Sequence, residues 1–262
     1  MGNLNKKYIN ISVILIFICA EGLFAQPEDV NYNFGKYNFS ARYDTSNYTT
    51  TLIIKNNGKQ IVKEEIPEWV SYIKDYDFNN DGKRIVVMET FSGGAHCCTS
   101  MLAFYLWNDL VTVTDTIFWG NFGYEIKDID GDGKLEIAGG NDMFAYAFTN
   151  YAETRSIPRI FHLRNGKFKD VTKKYKKIIK AELDGLTVDL KEFTDKGFEC
   201  MRADDDTFNT DAGSVKTILA AIVGCYSLLD ETDKGYELVR KVYKCPDRDK
   251  YIGILKTDYK LK

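Results

Sequence analysis

From Tyr32 to about Thr172, apolar and polar residues alternate in short runs with the two-residue period of half-buried strands. Tyr37-Asn38-Phe39-Ser40-Ala41-Arg42-Tyr43 is the plainest case, with its apolar side chains on one face. Thr50–Lys55 and Gln60–Ile66 flank Asn56-Asn57-Gly58-Lys59, where Asn-Gly supplies the positive φ angles of a tight hairpin. Further strands are predicted over Val70–Tyr76, Ile85–Phe91, Met101–Trp107, Leu110–Phe118, Tyr124–Ile129 and Leu135–Ala138. Ile160–Leu163 and Phe168–Val171 form a second hairpin around Asn165-Gly166. The period then lengthens. Val171, Tyr175, Ile178, Ile179 and Leu183 recur at helical spacing, with Thr172 as a candidate cap. Residues 184–212 read as irregular or weakly stranded. Val215, Ile218, Leu219, Ile222, Val223, Tyr226 and Leu229 form a strong helical stripe that Asp211 can cap. After a break at Asp230–Asp233, Tyr236, Val239, Val242 and Tyr243 mark another helix, and the short connection implies an antiparallel pair.

The N-terminus follows a different rule. Lys6 and Lys7 precede an apolar run from Ile9 to Ala20, broken only by Asn10 and Ser12. Leu23-Phe24-Ala25 then ends in a small residue before Gln26-Pro27. This is the layout of a secretory signal peptide over residues 1–25, and the run is shorter than a membrane span of about 20 apolar residues. The expected location is therefore outside the cytoplasm, periplasmic, cell-surface or secreted, with no transmembrane span after cleavage. Five cysteines follow Ala25: Cys97, Cys98, Cys200, Cys225 and Cys245. An oxidising compartment favours disulfides, and an odd number leaves one thiol over. A vicinal Cys97–Cys98 bridge makes a strained ring, so pairing of one or both with Cys200 or Cys225 is expected instead. With 35 Lys plus Arg against 38 Asp plus Glu, the chain has no global basic field for nucleic acid. Its 2 histidines, His96 and His162, exclude a multi-histidine zinc site.

One chemical signal stands out, and it occurs twice. Asp128-Ile129-Asp130-Gly131-Asp132-Gly133-Lys134-Leu135-Glu136 places three carboxylates at alternate positions, with Gly133 permitting a sharp turn. The Lys134 carbonyl and the Glu136 carboxylate complete an oxygen cage, and Ca2+ takes six to eight oxygen ligands. A helix-loop-helix site would need an acid at the twelfth position, where Gly139 stands. The earlier copy, Asp77-Phe78-Asn79-Asn80-Asp81-Gly82-Lys83-Arg84-Ile85, keeps Asp77, Asn79 and Asp81 but has Ile85 where Glu136 stands in the later one. It should bind an ion more weakly, or act as a turn held by its backbone preferences. The strands around the two loops repeat as well. A period of roughly 50 residues separates Asp77 from Asp128, the length of one four-stranded propeller blade. The expected fold is mainly β, with propeller-blade-like antiparallel repeats in an incomplete propeller or open sheet stack. It divides into a β-rich repeat domain at 26–172, with a partial blade at 32–67, and a small α-helical C-terminal unit at 173–262.

These strand-loop-strand units resemble the FG-GAP and VCBS-type repeats of secreted and surface proteins. The resemblance covers roughly residues 70–172 and implies a Ca2+ held between blade strands. Asp128, Asp130, Asp132 and Glu136 match that pattern position by position; Asp77, Asn79 and Asp81 match it in part. Phe91-Ser92-Gly93-Gly94-Ala95-His96-Cys97-Cys98 is similar to a segment of exported bacterial proteins that carry such repeats.

Other features have a functional and a plain reading. His96 beside Cys97 suits an activated thiol nucleophile or a structural turn closed by a disulfide. Asp204-Asp205-Asp206 with Asp211 suits a cation site or a solvated loop before a helix N-terminus. Trp69, Trp107 and Trp119 suit a sugar platform or strand packing. Lys173, Lys174, Lys176, Lys177 and Lys180 suit phosphate binding or a solvated helix face. The leading expectation is an exported, non-catalytic calcium-binding repeat protein that displays a surface to a protein or carbohydrate ligand. The alternative is a secreted hydrolase or a thiol-dependent enzyme using the His96-Cys97-Cys98 loop.

Overall fold

The computed structural model describes residues 29–93 and 97–262. The signal-peptide segment and His96 lie outside the described residues. The β region is three four-stranded antiparallel sheets, each a simple meander in chain order. Blade 1 contains β1 (Val30–Phe34), β2 (Tyr37–Asp44), β3 (Thr49–Asn56) and β4 (Lys59–Ile66). Blade 2 contains β5 (Trp69–Tyr76), β6 (Ile85–Phe91), β7 (Thr99–Trp107) and β8 (Leu110–Gly120). Blade 3 contains β9 (Tyr124–Lys127), β10 (Glu136–Asn141), β11 (Ile157–Arg164) and β12 (Lys167–Asp170). The fold is thus mainly β with an α-helical C-terminal unit, and the blades do not close into a ring. The first blade is complete rather than partial, because Val30–Phe34 pairs with β2.

Both Asn-Gly hairpins form as expected. Asn57 and Gly58 have φ of 48° and 81°, and Asn165 and Gly166 have 52° and 72°, the left-handed pair that matches strand twist.

The order of the blades explains the hydrophobic pattern. Blade 2 lies between the other two, so its inner strands β6 and β7 are apolar on both faces. In β6, Val86 and Met88 join the core shared with blade 1, whose members include Phe39 and Ile54. Val87 between them points the other way, into a core with Trp119, Ile137 and Phe161 of the blade 2–blade 3 junction. Each such buried side chain contributes about 1.5–3 kcal/mol. β4 has no such second neighbour, and Lys63, Glu64 and Glu65 are exposed in it.

The C-terminal unit is built around α2 (Asp211–Leu228), with α1 (Lys176–Lys196), α3 (Thr232–Val242) and α4 (Arg248–Thr257) completing it. The stripe expected for α2 widens to the whole circumference: Ala212 through Cys225 are all buried. The cap is Thr210, whose side chain accepts the Gly213 N–H, rather than Asp211. Lys216, 8% exposed, is neutralised by an ion pair with Asp247 and donates to Thr207 Oγ1 at 2.9 Å. Residues 184–196 are helical, not irregular. Leu186 and Leu190 are buried and Phe193 packs against the same core, a three-and-four spacing masked by Gly185, Thr187 and Val188, which are weak helix formers. Thr172 does not cap this helix; its Oγ1 accepts the Ile160 N–H at 2.8 Å and locks the end of blade 3 to α1. Phe144, Phe148 and Ile157, from the long β10–β11 connection and its end, enter the helical core, so blade 3 and the helices share one interior. Among the described residues no helix is long and apolar enough to cross a membrane.

Candidate metal centre

The two acidic segments occupy the same place in successive blades, between the first and second strands. In blade 3 the turn is organised by its own carboxylates. Asp128 Oδ1 accepts the Gly131 N–H at 2.7 Å and Oδ2 the Gly133 N–H at 2.9 Å. Asp132 Oδ1 accepts the Lys134 N–H at 2.8 Å. Gly133 has φ 83°, a left-handed value that a side chain would strain. In blade 2, Asp77 accepts the Asp81 N–H at 3.1 Å and the Gly82 N–H at 2.8 Å, Asp81 accepts the Lys83 N–H at 3.0 Å, and Gly82 has φ 79°. The loops touch each other: Leu135 N–H donates to the Phe78 carbonyl at 2.9 Å.

Their side chains part company at the mouth. Oxygens of Asp128, Asp130 and Glu136 lie within 4.8 Å of one another. Glu136 is the first residue of β10, pairs with Lys127 on one side and His162 on the other, and is 2% exposed. Its Oε2 accepts the Ile129 N–H at 3.1 Å. Tyr175, just before α1, donates its hydroxyl to Asp130 Oδ2 at 3.2 Å. Burial raises the Glu136 pKa, the Ile129 N–H opposes that, and the Asp130 charge adds to it. Backbone donors, Gly133 first, lower that of Asp128. Such a cluster, two exposed carboxylates closing on a buried one, suits a hard cation that would neutralise their repulsion. Asp132 and Lys134 form the rim, with an ion pair at 3.6 Å. Asp77, Asn79 and Asp81 lie together in the blade 2 loop, yet among the described residues no third acid closes on Asp77 and Asp81.

The other candidates separate. The Cys97 and Cys98 sulfurs are joined as a vicinal disulfide, and Cys200 pairs with Cys245 at 2.02 Å. This corrects the expected pairing of the adjacent cysteines with Cys200 or Cys225. Cys200 is held by the α3–α4 link, while Cys225 is sealed in the helical core as the free thiol, its pKa pushed up to about 12 by burial. Asp205 and Asp206 accept the backbone N–H groups of Arg202 and Phe208, and no metal-like cluster forms there among the described residues. The three tryptophans build no common platform: Trp119 is buried and stacked on Tyr124, Trp69 meets Phe91 edge-on, and Trp107, 62% exposed, sits at the far end of β7. Tyr175 and His162 reach the site only through tertiary packing, and local spacing carried no sign of either.

Comparison with known proteins adds little that bears on these residues. A scan against protein-family models finds no match. The chain is 26% identical over 216 residues to a probable thylakoid lumen protein of Synechocystis, a match that takes in 79% of this chain and 57% of the relative. It therefore spans little more than half the length of the curated relative it matches. A solved Xanthomonas protein described as related to a type IV secretion system is 12% identical, with 56% of this chain and 94% of that one aligned at a TM-score of 0.15. That score carries no argument about fold or function.

Proposed function

We propose that this chain is an exported, non-catalytic β-repeat protein of the FG-GAP/VCBS type, whose blade 3 loop binds Ca2+ and thereby stiffens a surface used to bind a protein or carbohydrate ligand. The observation that carries the reading is the convergence of Asp128, Asp130 and Glu136 oxygens within 4.8 Å at the junction of two blades and a helix. Asp132 and the main-chain carbonyl of Lys134 are the remaining protein ligands. The weaker loop, with Asp77, Asn79 and Asp81, acts as a turn or a low-affinity site. Export is supported by the pattern of residues 1–25 and by the lumenal location in the name of the Synechocystis relative.

An ion that binds only the folded state adds stability by mass action, about 2.7 kcal/mol at one hundred times its Kd. The full chain lacking residues 1–25 is expected to melt several degrees higher in millimolar calcium than in chelator. Asp130→Ala should remove most of that shift. An unchanged midpoint for the parent protein would discard the calcium reading.

A further inference from the structure

We propose that the cleft between the blade 3 loop and the start of α1 binds a multiply charged carboxylate ligand, one of whose oxygens completes the coordination of the loop's calcium. The inference rests on the calcium reading above and extends it to the class of ligand.

The cleft has a volume of about 570 Å³ and opens beside the metal cluster. Asp130, Asp132 and Glu136 line one part of it and Lys134, Arg164, Lys174, Lys176 and Lys177 another, with Ile129, Val171 and Ile178 supplying apolar wall. Lys134 is paired with Asp132. The other four cations form no ion pair among the described residues. Lys173, in the same run but turned out of the cleft, does find an acid, Asp230, at 2.5 Å. Arg164, Lys174, Lys176 and Lys177 thus face the cleft without an ion pair of their own among the described residues. The first turn of α1 has no acidic residue and no side-chain cap, although a helix start favours negative charge. A bound calcium would add two more positive charges, leaving the cleft with cations in clear excess over its three acids.

Two further details favour an oxygen-rich organic anion. His162, opposite Glu136 in the sheet, also lines the cleft, and its Nε2 is buried without a hydrogen-bond partner. A small movement of the ring toward the cleft would let a ligand hydroxyl meet that nitrogen. Arg164 offers a planar fork that matches a carboxylate, and a carboxylate oxygen is a natural calcium ligand.

Titration calorimetry with trigalacturonate, with neutral maltotriose and sulfate as controls, tests this on the full chain lacking residues 1–25. Trigalacturonate should bind about tenfold or more tightly in calcium than in chelator, and maltotriose should not bind. Lys174→Glu with Lys177→Glu should keep the calcium-induced melting shift but weaken trigalacturonate by about 100-fold, roughly tenfold per lost charged contact. Retention of the melting shift in the parent protein without trigalacturonate binding would overturn the ligand assignment and leave the calcium reading standing. Binding of sulfate alone, or full affinity in the double variant, would overturn it too. Absence of the melting shift would remove the calcium reading itself, and with it the bridging ion.

Discussion

Between the first two strands of blade 2 the chain runs from Asp77 to Arg84; in blade 3 it runs from Asp128 to Leu135. In both turns the leading aspartate accepts the N–H of the glycine five residues on, and the aspartate in fifth place accepts the N–H two residues later. Both turns use a left-handed glycine in sixth place. They differ where side chains meet: Asn79 against Asp130, and Ile85 against Glu136. Tyr76 and Ile85 pair across blade 2 as Lys127 and Glu136 pair across blade 3, so Ile85 stands at the position from which Glu136 closes its cluster. In both loops the shared backbone is held by hydrogen bonds to aspartate. What blade 3 adds to the shared turn is a buried acid at the start of the second strand, and on the calcium reading proposed above that acid makes the difference.

That distinction can be broken by transplanting it. Asn79→Asp with Ile85→Glu gives blade 2 the ligand set of blade 3. In chelator the double variant should lose about 1–3 kcal/mol, because a partly buried apolar position now holds a carboxylate. Calcium should restore that loss, and calorimetry should count two ions per chain instead of one. If the count stays at one while the variant remains folded, the backbone equivalence of the two loops is not sufficient for a site.

A smaller change separates backbone from ligands. Gly82→Ala and Gly133→Ala each force a side chain into left-handed backbone, at φ 79° and 83°, and should each cost about 1–2 kcal/mol in chelator by urea unfolding. The two costs should be similar, since the turns are alike. Only Gly133→Ala should also weaken calcium binding. Equal losses of calcium affinity would mean that the blade 2 loop carries part of the site.

Much of this comparison was legible in the residues themselves. Asp and Gly at fixed offsets dictate both turns, Asn-Gly at 57–58 and 165–166 dictates two hairpins, and the missing acid at Ile85 already marked the weaker loop. The parts that were not legible depend on contacts distant in sequence. Tyr175 and His162 arrive at the acidic cluster from the turn before α1 and from β11, and no local pattern ties them to Asp130 or Glu136. α2 read as a one-sided stripe because its other faces are covered by elements that pattern alone did not reveal, among them α4, whose ten residues include Gly253 and several charges. The cysteine pairing failed for the same reason: Cys200 and Cys245 come together only once the helices pack, leaving Cys225 inside.

The subtlest way to sharpen the contrast is through pH, because Glu136 is buried and Ile85 cannot titrate. Without metal, burial holds the Glu136 pKa above its ordinary value. Its neutral form is the one the fold prefers, so its contribution to stability is fully present below the unfolded-state pKa and is lost as pH rises through the raised folded value. Glu136→Gln keeps an acceptor for the Ile129 N–H and removes the charge. In chelator the variant should match the parent in acid and become the more stable of the two as pH rises through the folded pKa toward neutrality. In calcium the order should invert at neutral pH, because the ionised carboxylate is then a ligand, and the parent should lose its advantage as acid protonates Glu136. Paired melts of parent and variant across that range, with and without calcium, read both signs. A parent protein that stays ahead of Glu136→Gln in chelator at neutral pH would show that the carboxylate is already compensated by protein groups, and that the blade 3 cluster, like the turn in blade 2, is complete without an ion.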